Sequence, residues 1–263
     1  MSQWENLTSA DFKKELIRSQ RVCLLPLGVY EAHGNHMPLC TDMVIGYDIA
    51  CRAAELERAV VFPQYYFTQI LEAKHKPGTI ALNPDLLLKL LENVCDEIGR
   101  NGFKKIIILN AHGGNSYMIP YFTGSVLLNS KKDYVVYYPE EPWRKWPEMM
   151  KNITGKERRV GHGGDLETSA VMAINGGLVK MKELESPGVS LERLAHLPDI
   201  KTSVWWYAKF PRHYAGDAKN ADAKAGKLVL EESAKYYAKV LRMVKKDKTT
   251  PELYREFFSR SNH

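Results

Sequence analysis

Residues 104–115 read Lys-Lys-Ile-Ile-Ile-Leu-Asn-Ala-His-Gly-Gly-Asn, an apolar run that leads directly into a histidine and two glycines. An apolar run of this length, without alternating polar residues, is typical of a strand buried on both faces of a parallel sheet. Residues 22–28 form a second apolar run, and it too leads into a loop that contains glycine and histidine. The two runs predict an α/β protein with a parallel sheet.

Helices and further strands alternate with these two runs. Asn83 and Pro84 are typical of a helix N-cap and first turn, and they predict a helix that continues towards Arg100. Residues 139–147 contain too much proline to form a regular helix throughout. The other predicted elements are helices at residues 43–56, after residue 115 to about 130, at 170–174 and at 220–245, and a strand at 134–138.

Length and composition limit the class of protein. A chain of 263 residues is long enough for one large domain, so we expect residues 1–263 to form a single domain. The net charge of +6 is spread along the chain without a basic stripe, which argues against a nucleic-acid partner. The first residues do not resemble a signal peptide, and no apolar stretch approaches the ~18 residues that span a membrane. We therefore expect a soluble cytoplasmic protein that acts on a small molecule and does not bind membranes.

Three clusters of histidine, glycine and carboxylate residues follow predicted strands or begin a predicted helix. Open α/β sheets bind ligands at the carboxyl ends of their strands, so these clusters are expected to converge. Nitrogen and carboxylate oxygen are the ligands that zinc or manganese take in proteins. Five such ligands suit two ions bridged by one carboxylate, for which Asp42 is the natural choice. The five candidate ligands are Glu31, His33, Asp42, His112 and Glu167.

Each candidate also has a structural interpretation. A single histidine such as His33 is more often a hydrogen-bonded core residue than a ligand, and His112 in a tight Gly-Gly turn has a similar alternative. Glu167 near the start of a helix is also explained by its favourable interaction with the helix dipole. Asn115 is expected to hold its loop by side-chain hydrogen bonds. The coincidence of three glycine-flanked histidines with nearby carboxylates favours the metal site.

The three clusters together resemble the creatininase (creatinine amidohydrolase) family. The family pattern is a G-x-x-E-x-H-G-x-H-x-P-L-x-T-D loop, an N-x-H-G-G-N loop and a later G-x-x-E-T-S helix start preceded by a histidine. This chain carries all three in order, within residues 28–42, 110–115 and 162–169. The resemblance implies a metal-dependent hydrolase with a layered α/β/α fold around a mostly parallel sheet, assembled as a homohexamer.

The resemblance also implies roles for individual residues. Glu31, His33, Asp42 and His112 match the family's metal ligands, and His162 resembles its catalytic histidine. In the family's namesake a glutamate stands two residues after the second-motif histidine, whereas this chain has Gly114 there. Glu167 is expected to take over as the fifth ligand. Two divalent ions per subunit are implied, with Zn²⁺ favoured and Mn²⁺ or Fe²⁺ as alternatives.

The substrate is less well defined by the sequence. The namesake holds its flat substrate with tryptophans near the third motif, but residues 156–160 contain no aromatic residue, which disfavours creatinine itself. Candidate substrate-binding residues are Trp143, Trp206, His213 and His75, with structural packing as the alternative for each aromatic segment. A polar or anionic substrate, with many hydroxyl groups, would suit these changes.

Three functions fit this pattern. The first is hydrolysis of a carbon–nitrogen bond in a small polar cyclic amide or formamide, in which a metal-bound hydroxide attacks the carbonyl. The second is hydrolytic carbon–carbon ring opening of a cyclic diketone derived from a polyol such as inositol, similar to 3-dehydro-scyllo-inosose. The third is a non-catalytic metal-binding or peptide-maturation partner.

Overall fold

A four-stranded parallel sheet forms the centre of the protein. The structure is a computed structural model that describes residues 2–128, 132–155, 157–158 and 161–261. The strands are β1 (Val22–Leu27), β2 (Val60–Val61), β3 (Lys105–Asn110) and β4 (Val135–Tyr137), in the order β2-β1-β3-β4. The central pair β1 and β3 is in register along its whole length, with Leu27 opposite Asn110. The parallel sheet predicted from the two apolar runs is confirmed.

Helices cover both faces of the sheet. In the described residues they are α1 (Ser9–Arg18), α2 (Thr41–Leu56), α3 (Pro84–Arg100), α4 (Met118–Ser125), α5 (Trp146–Thr154), α6 (Asp165–Asn175), α7 (Trp205–Lys209), α8 (Ala223–Lys246) and α9 (Thr249–Ser261). Side chains of β1 and β3 alternate between two buried clusters because successive residues of a strand point to opposite faces. Leu24 and Ile107 pack with α2, α6 and α8, whereas Leu25 and Ile108 pack with α3 and α4. The layered α/β/α arrangement is confirmed.

Most predicted helices and strands are present with small shifts of their ends. The Asn83 side chain accepts a hydrogen bond from the Asp85 amide and caps α3, with Pro84 in the first turn, as predicted. Residues 142–145 form a 3-10 helix before α5, so the proline-rich segment is not one regular helix. The helix predicted to end near residue 130 continues from α4 as a 3-10 turn to Leu128, and its predicted end lies outside the described residues.

The elements that sequence patterns missed are short or lie near the chain ends. Strand β2 has only two residues, and helices α1 and α9 have polar, charge-rich sequences. None of the described helices combines the length and the apolar character needed to cross a membrane. All four cysteines are free thiols, and Cys23 and Cys95 are fully buried, because a free cysteine packs as a small apolar side chain.

Candidate metal centre

Two loops at the carboxyl edge of the sheet carry most of the candidate ligands. The loop after β1 contains Glu31 and His33 and ends at the start of α2, where Asp42 lies in the first turn. The loop after β3 contains His112. Because Leu27 and Asn110 pair at the ends of β1 and β3, both loops begin at the same level of the sheet. The predicted convergence of these two clusters is therefore a direct result of strand register.

The four side chains from these loops meet in the protein interior, and none is more than 5% exposed. His112 Nδ1 lies 2.7 Å from Glu31 Oε1 and 3.0 Å from Asp42 Oδ2. The other carboxylate oxygen of the aspartate, Oδ1, lies 3.0 Å from His33 Nε2. Asp42 thus spans the two histidines with one oxygen directed to each, which is the arrangement expected of a bridging carboxylate.

The atoms that meet here are buried without hydrogen-bond partners. Glu31 Oε1, His33 Nε2 and Asp42 Oδ2 have no hydrogen bond of acceptable geometry, although each lies within 4 Å of another side-chain atom of the cluster. Buried polar atoms are normally satisfied, because desolvation of an unpaired carboxylate or imidazole is costly. Lone pairs that converge on a common space are instead satisfied by a cation. The donor set therefore fits a metal centre on geometry as well as on chemistry.

The pKa values reflect the crowding of acids and imidazoles. Burial alone would lower the pKa of His33, but Asp42 and Glu31 outweigh it and raise that pKa to about 9. The pKa of His112 is likewise raised well above its ordinary value, because Glu31 and Asp42 outweigh its burial. In the metal-free protein these imidazoles thus hold protons between the carboxylates. Metal binding would release those protons, as expected when ligands must be deprotonated to bind.

Glu167 lies at the edge of this cluster, in the first turn of α6. Its Oε2 accepts a hydrogen bond of 2.7 Å from the Gly163 amide and lies 4.0 Å from His33 Nε2. Burial raises the pKa of this carboxyl to about 7. The structure thus brings Glu167 close to the His33 side of the centre.

His162 lies directly over His33, with ring centroids 4.1 Å apart. Its Nε2 is 2.7 Å from the Ala32 carbonyl oxygen, so this nitrogen carries the proton and donates it to the carbonyl. That bond leaves Nδ1 as the unprotonated nitrogen. Burial, with the nearby His33, lowers the pKa of His162 to about 3, so the ring is neutral at pH 7.

His213 forms a hydrogen bond with the Glu31 carboxylate. Its Nδ1 accepts a 2.8 Å hydrogen bond from the Trp206 indole, so Nε2 carries the proton and lies 2.5 Å from Glu31 Oε2. The residue has a left-handed backbone, with φ of 55°. Both ring nitrogens are thus occupied by protein groups, although the ring itself borders the cavity described next.

A cavity of about 480 Å³ opens onto the metal centre. Of the residues predicted from sequence to bind substrate, Trp143, Trp206 and His213 line this cavity. His75 is not among its lining residues; its Nε2 hydrogen-bonds to the Pro211 carbonyl and its ring packs on Tyr207. His75 is therefore exposed outside the cavity, with its ring 6.1 Å from that of the lining residue His213.

The family assignment follows from a comparison with known families. The family model Creatininase, described as creatinine amidohydrolase, matches residues 5–241. The chain belongs to the creatininase family. Solved structures of creatininases are similar to this protein. A mutant creatininase of Zn-Zn type and a creatininase of Mn form each align with it at a TM-score of 0.77 and 23% sequence identity. Each alignment covers 94% of this chain and 99% of the other.

Two curated relatives of the chain have names that indicate different substrates. The chain is 26% identical over 258 residues to a creatinine amidohydrolase of Pseudomonas putida, covering 90% of this chain and 94% of that protein. A shorter match, 35% identical over 101 residues, is to a mycofactocin precursor peptide peptidase of Mycolicibacterium smegmatis. That match covers 35% of this chain and 39% of the other. Family membership establishes an amidohydrolase fold in a family of hydrolases, and it does not identify the substrate.

Two polar residues of the cavity wall were missed by sequence reasoning. Gln69 and Glu72 lie before and within a short 3-10 turn, and both border the cavity beside Gly114. No motif marks them, because polar residues in a loop carry no distinctive spacing. The expected role of Asn115 is confirmed: it is fully buried, and its amide donates to Asn110 Oδ1 while accepting from the Gln69 backbone.

Proposed function

We propose that this creatininase-family protein hydrolyses a carbon–nitrogen bond in a small polar cyclic amide or formamide, with two divalent metal ions per subunit. The observation that carries this function is the convergence of four buried candidate ligands with unpaired atoms, three of which, Glu31, Asp42 and His112, border a cavity of about 480 Å³. A cavity of this size accommodates a small molecule.

Glu31, His33, Asp42 and His112 would hold the ions, with Glu167 as the fifth ligand. The ions would lower the pKa of bound water and polarise a substrate carbonyl. Zn²⁺ is the favoured metal, with Mn²⁺ or Fe²⁺ as alternatives, since nitrogen and oxygen ligands suit all three. Support comes from the bridging position of Asp42, and from the Zn-Zn and Mn forms of structurally similar creatininases.

His162 is proposed to act as the proton-transfer residue. Because Nε2–H is fixed to the Ala32 carbonyl, Nδ1 is the atom that accepts a proton and returns it to the leaving nitrogen. The ring is held in place by stacking on His33 and by an edge contact with Trp206. A neutral ring at pH 7 is the state that this role needs.

The walls of the cavity are proposed to orient the substrate and exclude water. Trp143 and Trp206 supply flat apolar surface, which suits a planar amide or a ring. His213 is proposed to contribute its ring edge to this wall while its nitrogens fix Glu31 and Trp206. A substrate seated against these rings would place its carbonyl towards the metal centre.

The second candidate is hydrolytic carbon–carbon ring opening of a polyol-derived cyclic diketone, similar to 3-dehydro-scyllo-inosose. It is favoured by the polar wall at Gln69 and Glu72, which suits a hydroxylated ring. The same residues would serve, with His162 returning its proton to a carbon instead of a nitrogen.

A substrate panel tests the two candidates. Metal-loaded protein is assayed with lactams, formamides and an inosose-type diketone, with and without a chelator. Turnover of an amide or formamide that disappears on chelation supports the first candidate, and turnover of the diketone alone supports the second. Activity that survives complete removal of metal would refute both.

The assembly is proposed from the family resemblance, and the compartment is proposed from the sequence. We propose a homohexamer in the cytoplasm, with residues 1–263 acting as a single domain. Sedimentation of the purified protein measures the assembly, and a monomer at micromolar concentration would contradict it.

A further inference from the structure

Gly163 lies between His162 and the helix that carries Glu167. Its backbone is left-handed, with φ of 71°, and a Cβ atom there would lie 2.7 Å from the His33 carbonyl oxygen. Only glycine fits this close approach without strain. Because glycine also rotates more freely than any other residue, the two peptide groups beside it keep their orientation only if other groups hold them.

The peptide group before Gly163 is held on both sides. Its carbonyl oxygen, that of His162, accepts a 3.0 Å hydrogen bond from the Ala215 amide. Its N–H, that of Gly163, donates to Glu167 Oε2 at 2.7 Å. The orientation of the Glu167 carboxylate therefore depends on the orientation of this peptide group.

The peptide group after Gly163 is held by a side chain. Its N–H, that of Gly164, donates to the Gly161 carbonyl at 2.7 Å, and its carbonyl oxygen accepts a 3.2 Å hydrogen bond from the Thr168 hydroxyl. Inside a helix a threonine hydroxyl usually turns to a carbonyl three or four residues earlier. Thr168 lies in α6 and is fully buried, yet its hydroxyl reaches five residues back. A partner outside the helix is therefore expected to orient it.

His36 is that partner. Its Nε2 lies 3.1 Å from Thr168 Oγ1, and the residue is only 1% exposed. Because the single hydroxyl proton is donated to Gly163, the ring nitrogen carries a proton and donates it to Oγ1. The buried Nδ1, which has no hydrogen-bond partner, is then a lone pair and not an unpaired N–H. The ring also packs edge to face with Tyr214, with centroids 5.4 Å apart.

His36 belongs to the same loop as Glu31 and His33, and the proposed metal ligands leave this histidine without a role. We propose that His36 is a positioning residue of the metal centre: through the Thr168 hydroxyl it fixes Gly163, whose N–H orients Glu167 towards the ions. The bond thereby links the loop after β1 to the start of α6. The inference rests on the proposed function, in which Glu167 is the fifth ligand.

Zinc affinity tests this role, because a misoriented ligand binds an ion less tightly. Competition with a chelating dye measures the binding of the two ions, and Glu167→Gln identifies the binding step that depends on Glu167. Thr168→Val removes the hydroxyl at nearly constant shape and should weaken that step about 10-fold, the lower end of the range for residues that orient metal ligands. His36→Leu should weaken the same step by at most the same factor.

The double variant tests whether His36 acts through Thr168. His36→Leu combined with Thr168→Val should lose no more affinity than Thr168→Val alone, because the hydroxyl through which His36 acts is already absent. Losses that multiply in the double variant would refute this route. Thr168→Ser keeps the hydroxyl and His36→Gln keeps an N–H donor, so each should bind zinc almost as the wild type does.

Thr123→Val is the matched control, since the Thr123 hydroxyl donates to the Pro120 carbonyl within α4, on the opposite face of the sheet from α6. It should bind both ions as the wild type does. Unchanged zinc affinity in Thr168→Val and His36→Leu, with only the melting temperature of metal-free protein lowered, would show a purely structural role and refute the proposal. Unchanged affinity in Glu167→Gln would instead refute the ligand role of Glu167 in the proposed function, and this inference with it.

Discussion

Replacement of His213 by asparagine should weaken metal binding without touching a ligand. His213 Nε2–H donates to Glu31 Oε2, and the carboxylate is fully buried at the metal centre. The left-handed backbone at position 213 is one that asparagine also adopts readily, so the replacement adds little backbone strain. Its shorter side chain does not reach Glu31. His213→Asn therefore removes the hydrogen bond and keeps the loop.

The size of the effect follows from the kind of bond that is lost. A hydrogen bond to a charged group contributes about 1.5–3 kcal/mol, and its loss leaves a buried carboxylate oxygen unpaired. Loss of a hydrogen bond that orients a metal ligand typically reduces metal affinity about 10- to 100-fold. The two estimates agree, because a tenfold change in affinity corresponds to about 1.4 kcal/mol.

Competition with a chelating dye measures the zinc affinity of wild type, His213→Asn and the control His196→Asn. His196 is exposed, so the same replacement there should leave affinity unchanged. Trp206→Phe, which removes the indole donor to His213 Nδ1 and leaves the hydrogen bond of His213 to Glu31 in place, should give a smaller loss. Unchanged zinc affinity in His213→Asn, together with a raised KM, would refute the supporting role and favour direct substrate contact.

Two further predictions concern stability. The pKa of His33 is raised from 6.5 to about 9, so its stabilising contribution is complete below pH 6.5 and lost as the pH rises through about 9. The melting temperature of metal-free protein should fall over that window, and a flat or rising profile would contradict the pKa shift. Gly226→Ala should destabilise the protein by about 3 kcal/mol in urea unfolding, because its Cβ would overlap the Ser169 carbonyl between α8 and α6. Gly124→Ala, whose Cβ meets nothing within 4 Å, should instead stabilise α4 by about 1 kcal/mol, and equal effects of the two changes would contradict this packing.

The fold was largely predictable because its central strands are buried on both faces. Residues 22–27 and 106–109 show this as unbroken apolar runs, and the N-terminal cap of α3 is equally clear. Strand β2 was missed because two residues carry no periodicity. Helix α9 carries apolar residues at helical spacing, Leu253, Tyr254, Phe257 and Phe258, but none of its 13 residues is buried and Tyr254 packs only against the edge of the core.

The convergence of the candidate ligands was predictable where a motif places them beside glycine at a strand end. Glu31, His33 and His112 belong to such motifs, and strand register brings them together. Glu72 borders the cavity because its loop passes close to Gly114, where the lack of a side chain leaves room for the carboxylate. These two residues are far apart in the sequence, so no sequence pattern relates them. His213 likewise meets its two partners, Glu31 and Trp206, only in the folded protein. Its sequence context indicated that it lines the substrate cavity but did not show that it hydrogen-bonds to Glu31.

The metal content of three proteins tests the central claim most directly. Wild type, Asp42→Ala and His162→Ala are reconstituted with zinc, dialysed and analysed by mass spectrometry, and each is assayed on the substrate panel. We expect two ions per chain in the wild type, loss of metal in Asp42→Ala, and full metal content without turnover in His162→Ala. Retention of both ions by Asp42→Ala would contradict the bridging carboxylate on which the metal centre is built.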